Sequence, residues 1–166
     1  QKIGFVGRND ELCGETAVSI MLSSERESAL CGISGFKLIY KPSIDQLKEG
    51  LANVLNKAGI SLSDIDAVMT GISGNKVNDD YYRAVTDELF DDIPLLHYKH
   101  IFGEGYTASG LGLYAAACCL AQGEVPSFMY LNAVNTKTST PKFILLFNQF
   151  EGKNYSFTLL ESLCGK

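Results

Sequence analysis

Ile44, Leu47, Leu51, Val54 and Leu55 recur at intervals of three and four residues, the spacing that places apolar side chains on one face of a helix. Ser43 precedes them as a side-chain cap, Gln46 stands three positions on, and Gly59 follows. That combination predicts a helix opened by a capping box and ended by a glycine. Asp79 and Asp80 predict the start of a second helix running to about Phe90, with acids at its positive end. A third helix is predicted over 107–122, stopped by Gly123 and Pro126. Short apolar or alternating runs at 17–23, 32–40, 65–70, 94–99, 127–134, 143–150 and 155–161 predict strands, the last two joined as a hairpin through Glu151-Gly152-Lys153-Asn154. Strands alternating with helices imply parallel pairing, and the closing hairpin implies an antiparallel edge. The expected fold is therefore α/β, a mixed sheet with helices on its faces. No repeat, linker or low-complexity tract divides the chain, so residues 1–166 are read as one domain.

Composition narrows the function classes. Hydrophobic residues make up 46% and charged residues 20%, ordinary for a globular chain. The net charge of −5, without any Lys/Arg run, argues against nucleic acid as the main partner. No stretch approaches the roughly 20 apolar residues of a membrane span. The chain opens on Gln1 without a basic, apolar leader; it reads as a piece cut from a longer cytoplasmic protein. Five cysteines, at 13, 31, 118, 119 and 164, form no CxxC pair, so neither a disulfide framework nor a zinc site is expected. Cys118 and Cys119 fall in an Ala-rich helical run and read as buried structural thiols.

Chemistry in an open α/β sheet gathers at strand C-terminal ends, which selects the loops after Thr70 and Lys99. Gly103-x-Gly105-x-x-Ala108 matches a dinucleotide fingerprint, but no acid sits about 20 residues on at the end of a following strand, as ribose binding would want. His97 and His100 have no evident third ligand, and zinc needs three from the protein. No Gly-x-Ser-x-Gly elbow or helix-N-terminal Cys presents a nucleophile. No metal and no cofactor are expected.

From Lys99 onward the chain resembles the β-ketoacyl synthases, the condensing enzymes of fatty acid and polyketide assembly. Their Lys-x-x-x-Gly-His-x-x-Gly-Ala-Ala-Gly pattern is met by Lys99, Gly103, Glu104, Thr107, Ala108, Ser109 and Gly110, with Glu104 at the His position. The Ala/Leu-rich helix ending Gly-x-x-Pro is met by Tyr114 to Leu120, Gly123 and Pro126. Ile65 to Gly74 resembles the strand ending in Ala-His-Gly-Thr-x-Thr, with Thr70 at the first His, and Asn78-Asp79 resembles that motif's closing Gly-Asp. Gly14-Glu15-Thr16-Ala17 resembles Gly-Glu-Gly-Ala at the head of a strand, and Asn148 to Ser156 resembles Asn-Ser-Phe-Gly-Phe-Gly-Gly-Thr-Asn-Ala-Ser, two residues shorter here.

The resemblance implies the C-terminal half of a thiolase-like fold, a five-stranded mixed sheet covered by helices. In that family a Cys nucleophile comes from the other half, and two histidines stabilise the carbanion or enolate formed on decarboxylation. At the family active-site positions this chain has Thr70, Lys99 and Glu104, so no catalytic residue is assigned to it. The acid that usually partners the family Lys is replaced by Leu113, and Lys99 is expected to pair with Glu104 instead. Three readings stay open. One is a catalytically degenerate, chain-length-factor-like subunit that pairs with an active synthase subunit. The second is part of an active, divergent 3-oxoacyl-acyl-carrier-protein synthase, and the third a non-enzymatic interaction domain. Acyl carrier protein and a homo- or heterodimer are implied by the resemblance alone.

Overall fold

The structure, a computed structural model, describes residues 14–132 and 140–163. Cys13 and Cys164 therefore lie outside the described residues, as does the end of the run expected at 127–134. The elements in order are β1 (Gly32–Tyr40), α1 (Ile44–Ala58), β2 (Ala67–Thr70), α2 (Lys76–Leu89), β3 (Leu95–His97), the short α3 (Lys99–Phe102), α4 (Ala108–Gln122), β4 (Phe143–Phe150) and β5 (Asn154–Glu161). They form one five-stranded mixed sheet in the order β1-β5-β4-β2-β3. β2 pairs in parallel with β3 and β4, while β5 runs antiparallel to both β4 and β1. This is the expected α/β mixed sheet, except that β5 of the closing hairpin lies inside the sheet and β1, antiparallel to it, is an edge strand.

Local signals fix α1. The Ser43 hydroxyl accepts from the Gln46 N–H, the Gln46 side chain accepts from the Ser43 N–H, and Gly59 closes the helix in the left-handed conformation. Leu47, Leu51, Val54 and Leu55 are buried. They pack with α2 residues Tyr82 and Val85 on one face of the sheet, against Val68, Leu145, Phe147, Phe157 and Leu159. α4 covers the other face. Its Ala108, Ala115, Ala116, Cys119 and Leu120 meet Met69, Leu96, Ile144, Leu146 and Leu160. The small side chains of α4 let it sit close to its neighbours. At Gly112 a Cβ would come within 2.6 Å of the Tyr98 ring, which explains a glycine in mid-helix despite its cost of about 1 kcal/mol.

Four expectations need correction. Residues 17–23 form no strand: no neighbouring strand supplies a ladder, and Met21 is 93% exposed. Residues 127–132 form a 3-10 turn at Ser127–Met129 and one isolated bridge, Leu96 to Tyr130, rather than a strand. The strand expected at 94–99 stops at His97, and Lys99 opens the short helix α3. The second helix begins at Lys76, capped by the Asn75 side chain. Asp79 instead turns its carboxylate back onto the N–H groups of Ser73 and Gly74, where it clamps the loop that follows β2.

Candidate functional site

The C-terminal ends of β2, β3 and β4 lie together, as parallel pairing requires. Beside them an open cavity of about 1270 Å³ is bounded by the start of α4, the N-terminal turn of α2, the β4–β5 hairpin and the outward face of β1. Its walls include Phe36, Leu38, Leu113 and Leu146; Lys99, Glu104, Tyr98 and Asn148 supply polar groups.

The pairing of Lys99 with Glu104 expected from the sequence is present. Lys99 Nζ donates to Glu104 Oε2 at 2.5 Å, and the Gly105 N–H donates to Oε1 at 3.1 Å. Lys99 is only 7% exposed and Glu104 24%. The short helix α3 explains the geometry, because it carries the chain back on itself over the four residues that separate the two. Gly103 ends that helix at φ 78°, and its N–H donates to the Lys99 carbonyl. Leu113 lines the cavity and takes no part in the ion pair.

Thr70 does not face the cavity. It is fully buried, and its hydroxyl donates to the Leu96 carbonyl at 2.9 Å, across the β2–β3 pair. The Gly103/Gly105/Ala108 fingerprint offers no cradle for phosphate either. The three N–H groups already meet Lys99 O, Glu104 Oε1 and Gly105 O.

His97 and His100 stack face to face with centroids 3.8 Å apart, away from the cavity wall. Among the described residues no group of three His, Cys, Asp or Glu could hold a metal. Burial, and then the neighbouring His100, holds the His97 imidazole below its ordinary range, against a smaller opposing pull from Asp79. The unfolded chain thus binds that proton more readily than the folded one. The contribution is complete above the unfolded value of about 6.5 and is lost as pH falls through the lower folded value. The expected result is a urea midpoint that drops between pH 7.5 and pH 5.5, with a smaller drop in His97→Gln.

Among the described residues, no cysteine lines the cavity. Cys119 is buried with its sulfur 3.9 Å from that of Met129, and burial, then Cys118, pushes it up to about 11. Burial likewise raises Cys31. The structural role expected for Cys119 holds, while Cys118 is half-buried.

Sequence reasoning missed the aromatic and amide groups around the ion pair. Tyr82, on α2, is fully buried, and its hydroxyl accepts from the Gln149 N–H at 3.2 Å. Gln149 in turn ties Asn78 to Gly152, which fixes the β4–β5 turn against the start of α2. Tyr98 donates to Asn148 Oδ1 at 3.2 Å. The available signal was the pair Asn148-Gln149 at the C-terminal end of an otherwise apolar strand, a position where α/β sheets place ligand contacts.

No protein-family model matches the sequence, and no curated protein matches it. Solved structures do match in shape. The ishigamide ketosynthase/chain length factor aligns at TM-score 0.63 and 20% identity, covering 80% of this chain and 38% of that one. The PfaC keto synthase-chain length factor aligns at 0.60 and 17%, over 80% of this chain and 13% of that one. A type II PKS acyl-carrier protein in complex with its ketosynthase, bound to the hexaketide, aligns at 0.59 and 15%, over 81% and 39%. The chain thus has the thiolase-like fold of ketosynthases and spans well under half the length of these structures. Among the described residues no helix is long and apolar enough to cross a membrane.

Proposed function

We propose that this chain is the C-terminal part of a β-ketoacyl-synthase-like subunit of polyketide or fatty acid assembly that has lost condensing chemistry, and that it acts as a chain-length-factor-like partner of an active synthase. The observation that carries the reading is the commitment of the polar groups at the two family histidine positions. Stabilising an enolate requires hydrogen-bond donors aimed at the developing charge. The Thr70 hydroxyl is spent on Leu96 O, and Glu104 is an acceptor already held by Lys99 and Gly105. Neither position offers a donor to substrate, and loss of one such donor typically costs about 3 kcal/mol of transition-state stabilisation.

The surface supports a larger assembly. α4, of sequence ASGLGLYAAACCLAQ, has no charged side chain on any face, as expected of a helix covered on two sides. Its sheet-facing side is buried against the core, while Tyr114 is half exposed. Phe36, Leu38 and Tyr40 on β1 are also exposed. These surfaces suit a further α/β layer of the same subunit. The ketosynthase structure solved with its acyl-carrier protein supports the same class of partner for the assembled complex.

Intact-mass spectrometry of the full natural gene product, after incubation with an acylated carrier protein, tests the reading. The expected result is a long chain with no acyl adduct, beside a control synthase that acquires one. An adduct would replace the proposal with an active, divergent synthase. A natural product of about this length would leave only a non-enzymatic interaction domain.

A further inference from the structure

Residues 14–18 alternate between half-buried and exposed, with Gly14, Thr16 and Val18 the half-buried set. That is the period of an extended segment laid along a surface. The surface beneath it is the loop from Phe102 to Gly110, which carries Glu104. The Gly14 N–H donates to the Glu104 carbonyl at 2.9 Å. The two backbones nearly touch at this crossing. A Cβ on Gly14 would fall on the Phe102 carbonyl oxygen, and one on Gly105 would lie 2.8 Å from the Gly14 carbonyl oxygen. Glycine on both sides is what permits the approach. Two residues on, the Thr107 hydroxyl donates to the Thr16 carbonyl at 2.7 Å. The Thr16 hydroxyl lies 2.6 Å from the same Thr107 oxygen, and with the one Thr107 proton committed it is Thr16 that donates. Val18 then rests on Gly110.

Thr107 stands at the N-cap of α4, where a threonine hydroxyl ordinarily accepts from its own helix, yet it makes no such bond. Its side chain serves instead a segment ninety-one positions away. The loop it belongs to is otherwise closed by short turns, Gly103 N–H to Lys99 O and Ala108 N–H to Gly105 O. Glu104 is thus gripped at two points, its carbonyl by Gly14 and its carboxylate by Lys99. Lys99 and Glu104 both line the cavity.

We propose that Gly14–Val18 is a strap that holds the Glu104 loop closed on Lys99, and that lifting it uncovers the Lys99 ammonium to the cavity. The strap sets whether the cavity presents a neutralised ion pair or a free cation. Because Gly14 continues into the chain upstream, a displacement there is transmitted to the pair. Thr107 and Gly14 are positioning residues, acting through Glu104.

Two readouts on the full chain test it: hydrogen exchange of the Gly14 amide by NMR, and acetylation of each lysine by an N-hydroxysuccinimide ester, read by peptide mass spectrometry. Thr107→Val is expected to speed Gly14 exchange and to raise Lys99 acetylation about tenfold relative to the exposed Lys153, the size of a lost hydrogen bond. Thr107→Ser keeps the hydroxyl and should match the unaltered chain. Gly14→Ala lifts the strap from its other side, with Thr107 intact, and should raise Lys99 acetylation as well. Exchange of the core amides of β4 and β5 should stay slow in all three, since only a local opening is involved. Faster Gly14 exchange with Lys99 acetylation unmoved overturns the proposal, as does Gly14 exchange unmoved in both Thr107→Val and Gly14→Ala. A rise at Lys99 that comes only with lost protection across β4 and β5 is general unfolding and overturns it too.

Discussion

Replacing Glu104 with Leu is expected to lower folding stability by about 3 kcal/mol, and adding Lys99→Met to the same chain is expected to recover most of that loss. The reason is the burial of Lys99, which is 7% exposed and has Glu104 as its ion-pair partner among the described residues. Breaking a buried ion pair from one side leaves an uncompensated charge and typically costs about 3–5 kcal/mol. Glu104 keeps some contact with water, so the lower end applies. Replacing both partners by apolar residues removes the desolvation penalty along with the attraction, and such replacements are often neutral or stabilising. The exposed pair Lys48–Glu88, which links α1 to α2, is the control: Glu88→Leu should leave the urea midpoint nearly unmoved. Urea titration of the single and double variants gives the coupling directly. Losses that simply add would show that Lys99 and Glu104 do not act as a unit.

That pair was legible in the sequence because it is local. Five positions separate its members, and the family resemblance, which puts an acid where Leu113 stands and a His where Glu104 stands, pointed to it. α1 was legible for the same reason, since Ser43, Gln46 and Gly59 each act within one turn of the helix end they define. The pairing of Tyr98 with Asn148 crosses fifty positions, and no local pattern records it. The run 17–23 shows the same limit for strands. Its apolar content satisfies a strand pattern, but a strand is completed by a neighbour's N–H and C=O groups, and none adjoins it here. The early end of β3 is also a tertiary effect. The backbone turns at Tyr98, whose ring packs on Gly112, and Lys99 is delivered to its partner by α3.

Phe147→Ala is expected to be the most damaging single core substitution, at about 3–5 kcal/mol, by combining cavity formation with lost aromatic packing. Phe147 sits mid-strand in β4 with no solvent exposure. Its ring meets four others: Tyr82 edge-on at 5.6 Å, Phe90 at 6.1 Å, Tyr155 at 6.2 Å and Phe157 stacked at 5.3 Å. The partners come from α2, its C-terminal cap and β5, so truncating this β4 residue loosens the contact between α2, β4 and β5. A domain's total stability is about 5–15 kcal/mol, so the loss is a large fraction of it. Phe147→Leu keeps most of the volume and should cost less than about 1.5 kcal/mol. Phe150→Ala, three residues on but half exposed, should cost little. The ranking also bears on the site. Tyr82 is held by this ring at one end and by the Gln149 N–H at its hydroxyl, so Phe147→Ala frees the residue that backs Gly71, the glycine beside which Lys99 also lies. A urea midpoint that moved as little for Phe147→Ala as for Phe150→Ala would show that the aromatic cluster is not what joins α2 to the sheet.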